Sequence, residues 1–224
     1  MGDVTVLAVT GLNREAGIIA GPGVVTLASG GDSHALKGRL ETALTPTIAG
    51  VISIGIAGAL EPSLQVGDGV IATRISSGSL SWRLDQAWAD RIAALLPEAR
   101  RGVIVGSSEM VVNAAAKAAL FAQTSGLCVD MESHIAAKVA ADRGLPFAAL
   151  RFISDGADRA LPKAAQAGMK PDGGMDIQGV LLALAADPRQ LPALIRTGRE
   201  AQTAFRALLG GRDRLGAALG FADV

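Results

Sequence analysis

The chain has 224 residues, of which half are apolar and only 3% aromatic, and it contains no Tyr. This length suits a single α/β domain over residues 1–224, with a core built from Ala, Val, Leu and Ile. Basic and acidic residues each total 21, so the formal charge is zero. That balance argues against nucleic acid as the partner, since nucleic-acid-binding domains usually carry a basic excess.

Short apolar strands alternate with longer, Ala-rich helices along the chain. The predicted strands are Val4 to Thr10, Gly23 to Ala28, Gly50 to Gly55, Gly69 to Ile75, Gly102 to Gly106, Leu127 to Asp130 and Pro146 to Ser154. The predicted helices are Asp32 to Leu44, Leu84 to Leu96, Asn113 to Gln123, Glu132 to Arg143, Met175 to Ala186 and Arg189 to Leu209. Nearly continuous apolar strands indicate burial on both faces, so the sequence predicts a mainly parallel sheet covered by helices.

Two stretches are open to more than one interpretation, the first because it has no charge and the second because it has no regular pattern. Thr42 to Leu60 is free of charge and nearly long enough to span a bilayer, but its Pro and Gly residues divide it into a turn, a strand and a loop. The segment from Ala157 to Gly174 is the longest irregular one, and it directly follows Asp155. It is either a lid over a site or a plain surface loop.

The last third of the chain has apolar residues at helical spacing. These are Leu191, Leu194, Ile195, Phe205, Leu208 and Leu209, opposed by Arg196, Arg199, Arg206 and Arg212. The simpler interpretation is a terminal helix packed on the domain. The alternative is a basic amphipathic surface that makes peripheral contact with anionic lipid.

Cysteine and histidine are too sparse for a disulfide or a zinc site. Cys128 is the only cysteine and falls in a predicted buried strand, while neither His34 nor His134 lies in a metal-binding motif. The N-terminus carries Asp3 in place of a basic region, so it does not resemble a signal peptide. We therefore predict a reducing, cytoplasmic location, no metal and no cofactor.

Two carboxylates follow predicted strands and are separated by one helix. Glu132 lies in the run VDMES and Asp155 ends the run RFISD. A βαβ unit brings both strand ends to the same edge of a parallel sheet, where ligands of α/β proteins bind. Each carboxylate taken alone is explained equally well as a helix-dipole partner or an N-cap. Together they predict one pocket, in which one carboxylate holds a polyol such as ribose and the other holds or donates a proton.

A third carboxylate and a Gly-rich run complete the pattern. Glu15 lies just after the first strand, at the start of a helix, and the run GIAGAL from Gly55 to Leu60 follows another strand. This run is neither a Walker loop nor a Rossmann fingerprint, and alone it is a weak signal for backbone contact with a small anion or sugar.

In this order, the segments from Val4 to about Asp158 resemble the purine and uridine phosphorylase superfamily, and within it the methylthioadenosine/S-adenosylhomocysteine nucleosidase-like branch. The resemblance rests on VDMES, RFISD and GIAGAL followed by LQVGDGVIAT. The C-terminal run FRALLGGRDRLGAALG is similar to that of the hopanoid-associated phosphorylases. The resemblance implies a single-domain, three-layer αβα fold with a central mainly parallel or mixed sheet, and a divergent C-terminal helical part from about residue 175.

The same resemblance implies roles at the sugar and at the nucleophile. Glu132 would bind the ribose hydroxyls with Met131 on the sugar face, and Arg151 would lie near the sugar or anion. Glu15 would be the general base that activates water. A phosphate or water site would use Ser29 and Gly30.

At the leaving base, the resemblance assigns Asp155 to purine N7, with Ser154 fixing it. Val111 and Val112 would line the base pocket and offer backbone groups to the purine edge. Ala57 and Gly58 are further predicted substrate-binding residues, and the Gly58 backbone could also contact a phosphate. Cleavage of an N-glycosidic bond passes through a sugar with oxocarbenium character, which carboxylates stabilise, while an acid neutralises the departing base. We expect Val111, Val112 and Phe152 to wall an apolar pocket that raises the pKa of that acid.

The predicted reaction is cleavage of a 5′-substituted adenosine to release adenine, with adenosylhopane as the substrate, no redox cofactor, and either water or inorganic phosphate as co-substrate. Ile56 replaces the small hydroxyl residue of many relatives and leaves that choice open. A methylthioadenosine/S-adenosylhomocysteine nucleosidase is the alternative, and a non-catalytic nucleoside-binding protein is an alternative of another class. The resemblance also implies a homodimer whose partner chain closes the 5′ end of the pocket.

Overall fold

The computed structural model describes residues 4–30, 33–167, 174 and 176–221. Eight strands are found: β1 (Thr5–Thr10), β2 (Val24–Ala28), β3 (Ile48–Ala59), β4 (Gly69–Ser77), β5 (Leu80–Arg83), β6 (Arg100–Gly106), β7 (Cys128–Asp130) and β8 (Phe147–Asp155). The α-helices are α1 (Asn13–Ile19), α2 (Ser33–Ala43), α3 (Gln86–Leu95), α4 (Ala114–Thr124), α5 (Ser133–Asp142), α6 (Lys163–Gln166), α7 (Ile177–Ala186) and α8 (Leu191–Leu215). The predicted α/β class and its mixed sheet are confirmed.

The strands form one mixed sheet that partly closes on itself. They follow the order β2-β1-β3-β7-β6-β4-β5, and β8 pairs with both β3 and β4. As a result β3, β7, β6, β4 and β8 form a ring, with β1 and β2 extending from one side and β5 from another. The pairs β3–β7, β4–β8 and β4–β5 are antiparallel, and the other pairs are parallel. This closure was not predicted, because it depends on pairings between strands far apart in sequence.

Helices cover both faces of the sheet, and the alternation of strand side chains divides the core. In β1, Leu7 and Val9 belong to one core cluster, which includes Leu36 and Leu40 of α2. The intervening Val6 and Ala8 belong to the other cluster, with residues of α3 and α8. Because successive side chains of a strand point to opposite faces, one strand contributes to both layers. The three-layer arrangement follows from this alternation.

Strand β3 is longer than predicted and includes most of the GIAGAL run. Its Gly residues predicted a loop, whereas the strand continues as far as Ala59. The pairing of β3 with β8 shifts register between Ala57 and Gly58. A bulge of this kind bends a strand without ending it, which explains why a Gly-rich run remains paired.

The segment from Ala157 to Gly174, predicted to be irregular, contains the short helix α6. Residues 168–173 lie outside the described residues, as do Asp3, the predicted helix start at Asp32 and the predicted start at Met175. Strand β5 was missed because it has only four residues, which are mostly exposed. None of the helices within the described ranges combines the length and the apolar character needed to cross a membrane.

Helix α8 packs on the sheet through its C-terminal half. Phe205, Leu208 and Leu215 are buried in the core, as the packed-helix interpretation predicts. The predicted stripe does not continue to the N-terminal end, where Leu191 and Ile195 are nearly half exposed. Helix α7 has no buried residue, and its Leu182 is 72% exposed. The exposed apolar side chains of α7 and of the start of α8 (Ile177, Leu181, Leu182, Leu191 and Ile195) are called the α7–α8 apolar surface below.

Candidate active site

A cavity of about 180 Å³ lies at the ends of several strands. It is lined by the segments that follow β1, β2, β6, β7 and β8, and by the bend in β3. Its lining residues are Gly11, Leu12, Glu15, Gly30, Ile56, Gly58, Glu109, Met110, Val111, Val129, Asp130, Met131, Glu132, Ser154, Asp155 and Leu161. The edge of the sheet that the sequence indicated is therefore where the carboxylates meet.

Most of the predicted site residues line this cavity, and the others lie just behind it. Glu15, Gly30, Gly58, Val111, Met131, Glu132, Ser154 and Asp155 are in the lining, whereas Ser29, Ala57, Val112 and Arg151 are not. Phe152 was expected in the pocket wall but points to the opposite face of β8, against Gly211 of α8. The alternation of a strand explains this, because its neighbours Arg151 and Ile153 face the other way.

Glu15 is anchored at the N-terminus of α1. Its Oε2 accepts hydrogen bonds from the backbone N–H groups of Gly11 and Leu12, each at 2.7 Å, and its Oε1 accepts one from Ile56, also at 2.7 Å. Burial raises the pKa of Glu15, while these bonds and the charge of Arg151 act in the opposite direction. The result is a buried carboxylate in a fixed orientation, with a raised affinity for a proton.

Glu132 lies at the N-cap of α5, but it makes no capping hydrogen bond. The hydroxyl of Ser29 donates to its Oε1 at 3.0 Å, and Arg151 Nη2 lies 3.6 Å from its Oε2. Burial and the nearby charge of Asp130 raise the pKa of Glu132 to about 7, against the opposing effects of Arg151 and Ser29. The carboxylate is thus free of a structural capping role and has acceptor sites to offer a ligand.

Arg151 lies beneath the cavity and joins the carboxylates from behind. It is completely buried and forms an ion pair with Asp130, and its Nη2 donates to Ser53 Oγ at 2.7 Å. Arg151, which was predicted to lie near the sugar or anion, does not line the cavity, and its Nη2 lies 3.6 Å from Oε2 of Glu132, the carboxylate predicted to bind the ribose. The roles of Asp130 and Ser53 were missed, although Asp130 lies within the VDMES run.

Asp155 faces the cavity and is paired with a lysine that the sequence analysis overlooked. Lys117 of α4 forms a buried ion pair with Asp155 and donates to the Gly156 carbonyl at 2.9 Å. The hydroxyl of Ser154 lies 2.7 Å from Asp155 Oδ1, and it is also 3.1 Å from the Ala57 carbonyl. The only available signal was a single charge in an Ala-rich helix, which is more often a solvated residue.

No metal centre is formed by the part of the chain that the structure describes, since no three His, Cys, Asp or Glu side chains are grouped to hold an ion. Cys128 is buried in β7, and burial raises the pKa of its thiol. The functional groups that the cavity presents are therefore carboxylates, supported by buried cations.

A family model described as the phosphorylase superfamily matches residues 5–186 of the chain. Among curated proteins, none matches. The match ends at the last residue of α7, so α8 lies outside it.

Solved structures share the fold at low sequence identity. The 5′-methylthioadenosine/S-adenosylhomocysteine nucleosidase of Helicobacter pylori, with butyl-thio-DADMe-Immucillin-A, superposes with a TM-score of 0.66 at 17% identity, over 95% of this chain and 99% of that one. The futalosine hydrolase of the same organism gives 0.63 at 17%, over 94% and 98%. The nucleosidase of S. pneumoniae, with the transition-state inhibitor MT-ImmA, gives 0.64 at 16%, over 94% and 99%.

The raised pKa of Glu132 predicts a pH-dependent stability. Its ordinary value is 4.5 and its folded value is about 7, so its contribution is fully present below pH 4.5 and is lost as the pH rises through 7. Between about pH 5 and pH 8, the free energy of unfolding of the wild type should fall by roughly 1–3 kcal/mol relative to that of Glu132→Gln. Chemical denaturation at both pH values measures this difference. Glu109→Gln, a change at the exposed rim, should follow the wild type; a Glu132→Gln protein that also follows it would refute the burial argument.

Gly55 keeps the place of the Glu15 carboxylate open. A Cβ at residue 55 would lie 2.6 Å from Glu15 Oε1 and 2.9 Å from its Cδ. Gly55→Ala should therefore displace the carboxylate and lower kcat by about 10- to 100-fold, as misplaced groups in active sites do. Gly38→Ala in α2 is the control, since nothing lies within 4 Å of its added Cβ; it should keep full activity. Full activity of a folded Gly55→Ala enzyme would mean that the position of Glu15 is unimportant.

Proposed function

Because the chain belongs to the phosphorylase superfamily, it is an enzyme that cleaves nucleoside N-glycosidic bonds, and we propose that its substrate is a 5′-substituted adenosine. One observation carries this proposal: Glu15, Glu132 and Asp155 line a single small cavity although they come from three separate segments of the chain. The walls are otherwise largely apolar, including Met110 and Val111. Carboxylates in such a site can stabilise the positive charge that develops on the sugar.

Glu132 is suited to hold the ribose diol. Its side chain makes no cap, and its one hydroxyl donor, Ser29, leaves acceptor sites for two sugar hydroxyls. Hydroxyl donors favour the ionised carboxylate, so binding of the sugar offsets the burial that raises the pKa of Glu132. Met131 lines the cavity beside it and can pack on the face of the sugar.

The position of Asp155 suits contact with the departing base. It lies at the end of β8, across the bend of β3, where a Cβ on Gly58 would be only 3.2 Å from its Oδ2. Val111 and Leu161 line the same cavity, and the Leu161 N–H donates to the Val112 carbonyl at 2.8 Å. This bond ties the segment after β8 to the segment after β6, which supports a base pocket between them.

Water is the nucleophile that the geometry favours over phosphate. Ser29 and Gly30 were predicted to form the phosphate or water site, but their backbone N–H groups donate to the Thr10 and Gly11 carbonyls at 2.7 and 3.0 Å. They are therefore not available to an oxyanion. Glu15 and Glu132 both line the cavity, and two carboxylates disfavour a phosphate dianion. Glu15, held rigidly by three backbone N–H groups, would position and deprotonate water.

Product analysis tests the reaction class. With adenosine and 5′-methylthioadenosine, the wild type should release adenine and a free sugar at a rate that does not depend on phosphate. Glu15→Gln should lower kcat by about 10²–10⁴, the usual contribution of a general base. A sugar 1-phosphate as product, together with a mild effect of Glu15→Gln, would show phosphorolysis instead. The absence of adenine release with every substrate would favour the non-catalytic binding protein.

We further propose that the 5′ substituent is bulky and apolar, with adenosylhopane as the candidate. The α7–α8 apolar surface supports this, because large aliphatic side chains are left uncovered on two adjacent helices that follow the cavity segment. The alternative substrate is methylthioadenosine or S-adenosylhomocysteine. It is supported by the nucleosidases among the structural neighbours.

A series of 5′-alkyl adenosines separates the two substrates. Each methylene that becomes buried contributes about 0.8 kcal/mol, which corresponds to roughly a fourfold lower KM per added carbon. Steady-state kinetics should therefore show KM falling steadily from 5′-methyl to longer chains. The matched control is a series lengthened with hydroxyl-bearing groups, for which KM should not fall. A preference for methylthioadenosine over the long-chain analogues would overturn the hopanoid proposal.

The same apolar surface supports two proposals about partners. A homodimer would cover it with a second copy of the chain, and peripheral contact with a membrane would bring a lipid-tailed substrate within reach.

The cytoplasmic location stays a prediction, supported by the single buried cysteine.

A further inference from the structure

We infer that Lys117 is the source of the proton that reaches the departing base, delivered through Asp155. This inference rests on the proposed function, because it concerns the leaving group of N-glycosidic cleavage. It assigns a task to a residue that does not line the cavity but pairs with one that does, Asp155.

The burial of Lys117 is the first observation. Its relative exposure is zero, and it is the only buried residue of α4. The ammonium donates to the Asp155 carboxylate and to the Gly156 carbonyl. An ammonium at such a position is strongly unfavourable unless an opposite charge is close, and Asp155 supplies that charge.

The ion pair changes what Asp155 can do. The Asp155 carboxylate accepts a hydrogen bond from a buried ammonium, so its neighbour is itself a proton donor. The nearest proton that can be transferred is the one on Lys117 Nζ, which is already hydrogen-bonded to Asp155 Oδ2.

The proton balance of the step is simple. The Nζ–H bond of Lys117 breaks as a proton moves to the Asp155 carboxyl group, and a proton from that group forms an N–H bond on the purine as the glycosidic bond breaks. The electron pair of the glycosidic bond leaves with the base, which departs neutral. Asp155 ends as a carboxylate and Lys117 as a neutral amine, which regains its proton from solvent after the products leave.

The surroundings of Asp155 allow this transfer. The Ser154 hydroxyl has one hydrogen and two acceptors within reach, Asp155 Oδ1 at 2.7 Å and the Ala57 carbonyl at 3.1 Å. Turning that hydrogen toward Ala57 frees Oδ1 while the carboxyl group is protonated. Gly58 keeps the space open, since a Cβ there would lie 3.2 Å from Asp155 Oδ2 and 3.6 Å from Lys117 Cε.

Two substitutions separate proton donation from charge. Lys117→Met removes both the charge and the proton, whereas Lys117→Arg keeps a cation whose proton is effectively never released. The substrates are 5′-methylthioadenosine and its 2-fluoro and 2-chloro derivatives. The halogen withdraws electrons from the purine, so the halogenated bases are better leaving groups and depend less on protonation. Lys138→Arg, at an exposed lysine paired with Asp142, is the matched control.

With 5′-methylthioadenosine, both Lys117 variants should lose about 10²–10⁴ in kcat with little change in KM, the range of a general acid. The loss should shrink along the halogenated series, while Lys138→Arg stays at the wild-type rate throughout. If Lys117→Met does not fold, Lys117→Arg carries the test alone, because it preserves the ion pair.

A Lys117→Arg enzyme with wild-type kcat, or a loss that is constant across the series, would show that Lys117 only supports the fold, and the inference would be wrong. A wild-type enzyme that releases no adenine from any of these substrates contradicts the proposed function itself, and the inference falls with it. The two failures are therefore distinguishable by the wild-type rate.

Discussion

The site depends on the fully buried guanidinium of Arg151. It pairs with Asp130, approaches Glu132, and contributes its charge to Glu15. Several carboxylates close together in a dry cavity would repel one another and bind protons, so a cation beneath them is a condition for their coexistence. An ion pair of this kind adds little net stability, but losing one partner leaves a buried charge that costs about 3–5 kcal/mol. The fold therefore holds Arg151 beneath the site, where it contacts Ser53 of β3 and Asp130 of β7.

Glycines within β3 and just after β1 leave room for these charged side chains. A side chain at Gly11 would approach the carboxylates of both Glu132 and Glu15, within 3.1 and 3.3 Å. Gly55 and Gly58 serve Glu15 and Asp155 in the same way. The high glycine content is explained in part by this arrangement. The Gly-rich run in β3 resembles a flexible loop, but it is paired backbone, and functional side chains lie over it. Carboxylates positioned by a rigid sheet need little reorganisation when charge develops on a substrate.

The sequence predicted the sheet edge and the three carboxylates because these features are local. Apolar strands, the Asn113 N-cap of α4 and the carboxylates after strand ends are all signals within a few residues. The ring closure, the bend of β3 and the pairing of Lys117 with Asp155 depend on contacts between distant segments, and no local pattern carries them. Phe152 was expected on the wrong face of β8 for a related reason: the strand is buried on both faces, so its sequence does not show which face meets the cavity and which meets α8.

The matched family segment and the folding unit are not the same. The family match ends at Ala186, yet Phe205 and Leu208 complete the core against β8, and the Trp88 indole donates to the Leu219 carbonyl at 3.0 Å. A chain released from the ribosome only as far as α7 would lack the α8 side chains that help to cover this face of the sheet. Folding of this enzyme must therefore wait until α8 has left the ribosome, and during that interval the exposed part of the sheet is a target for chaperones.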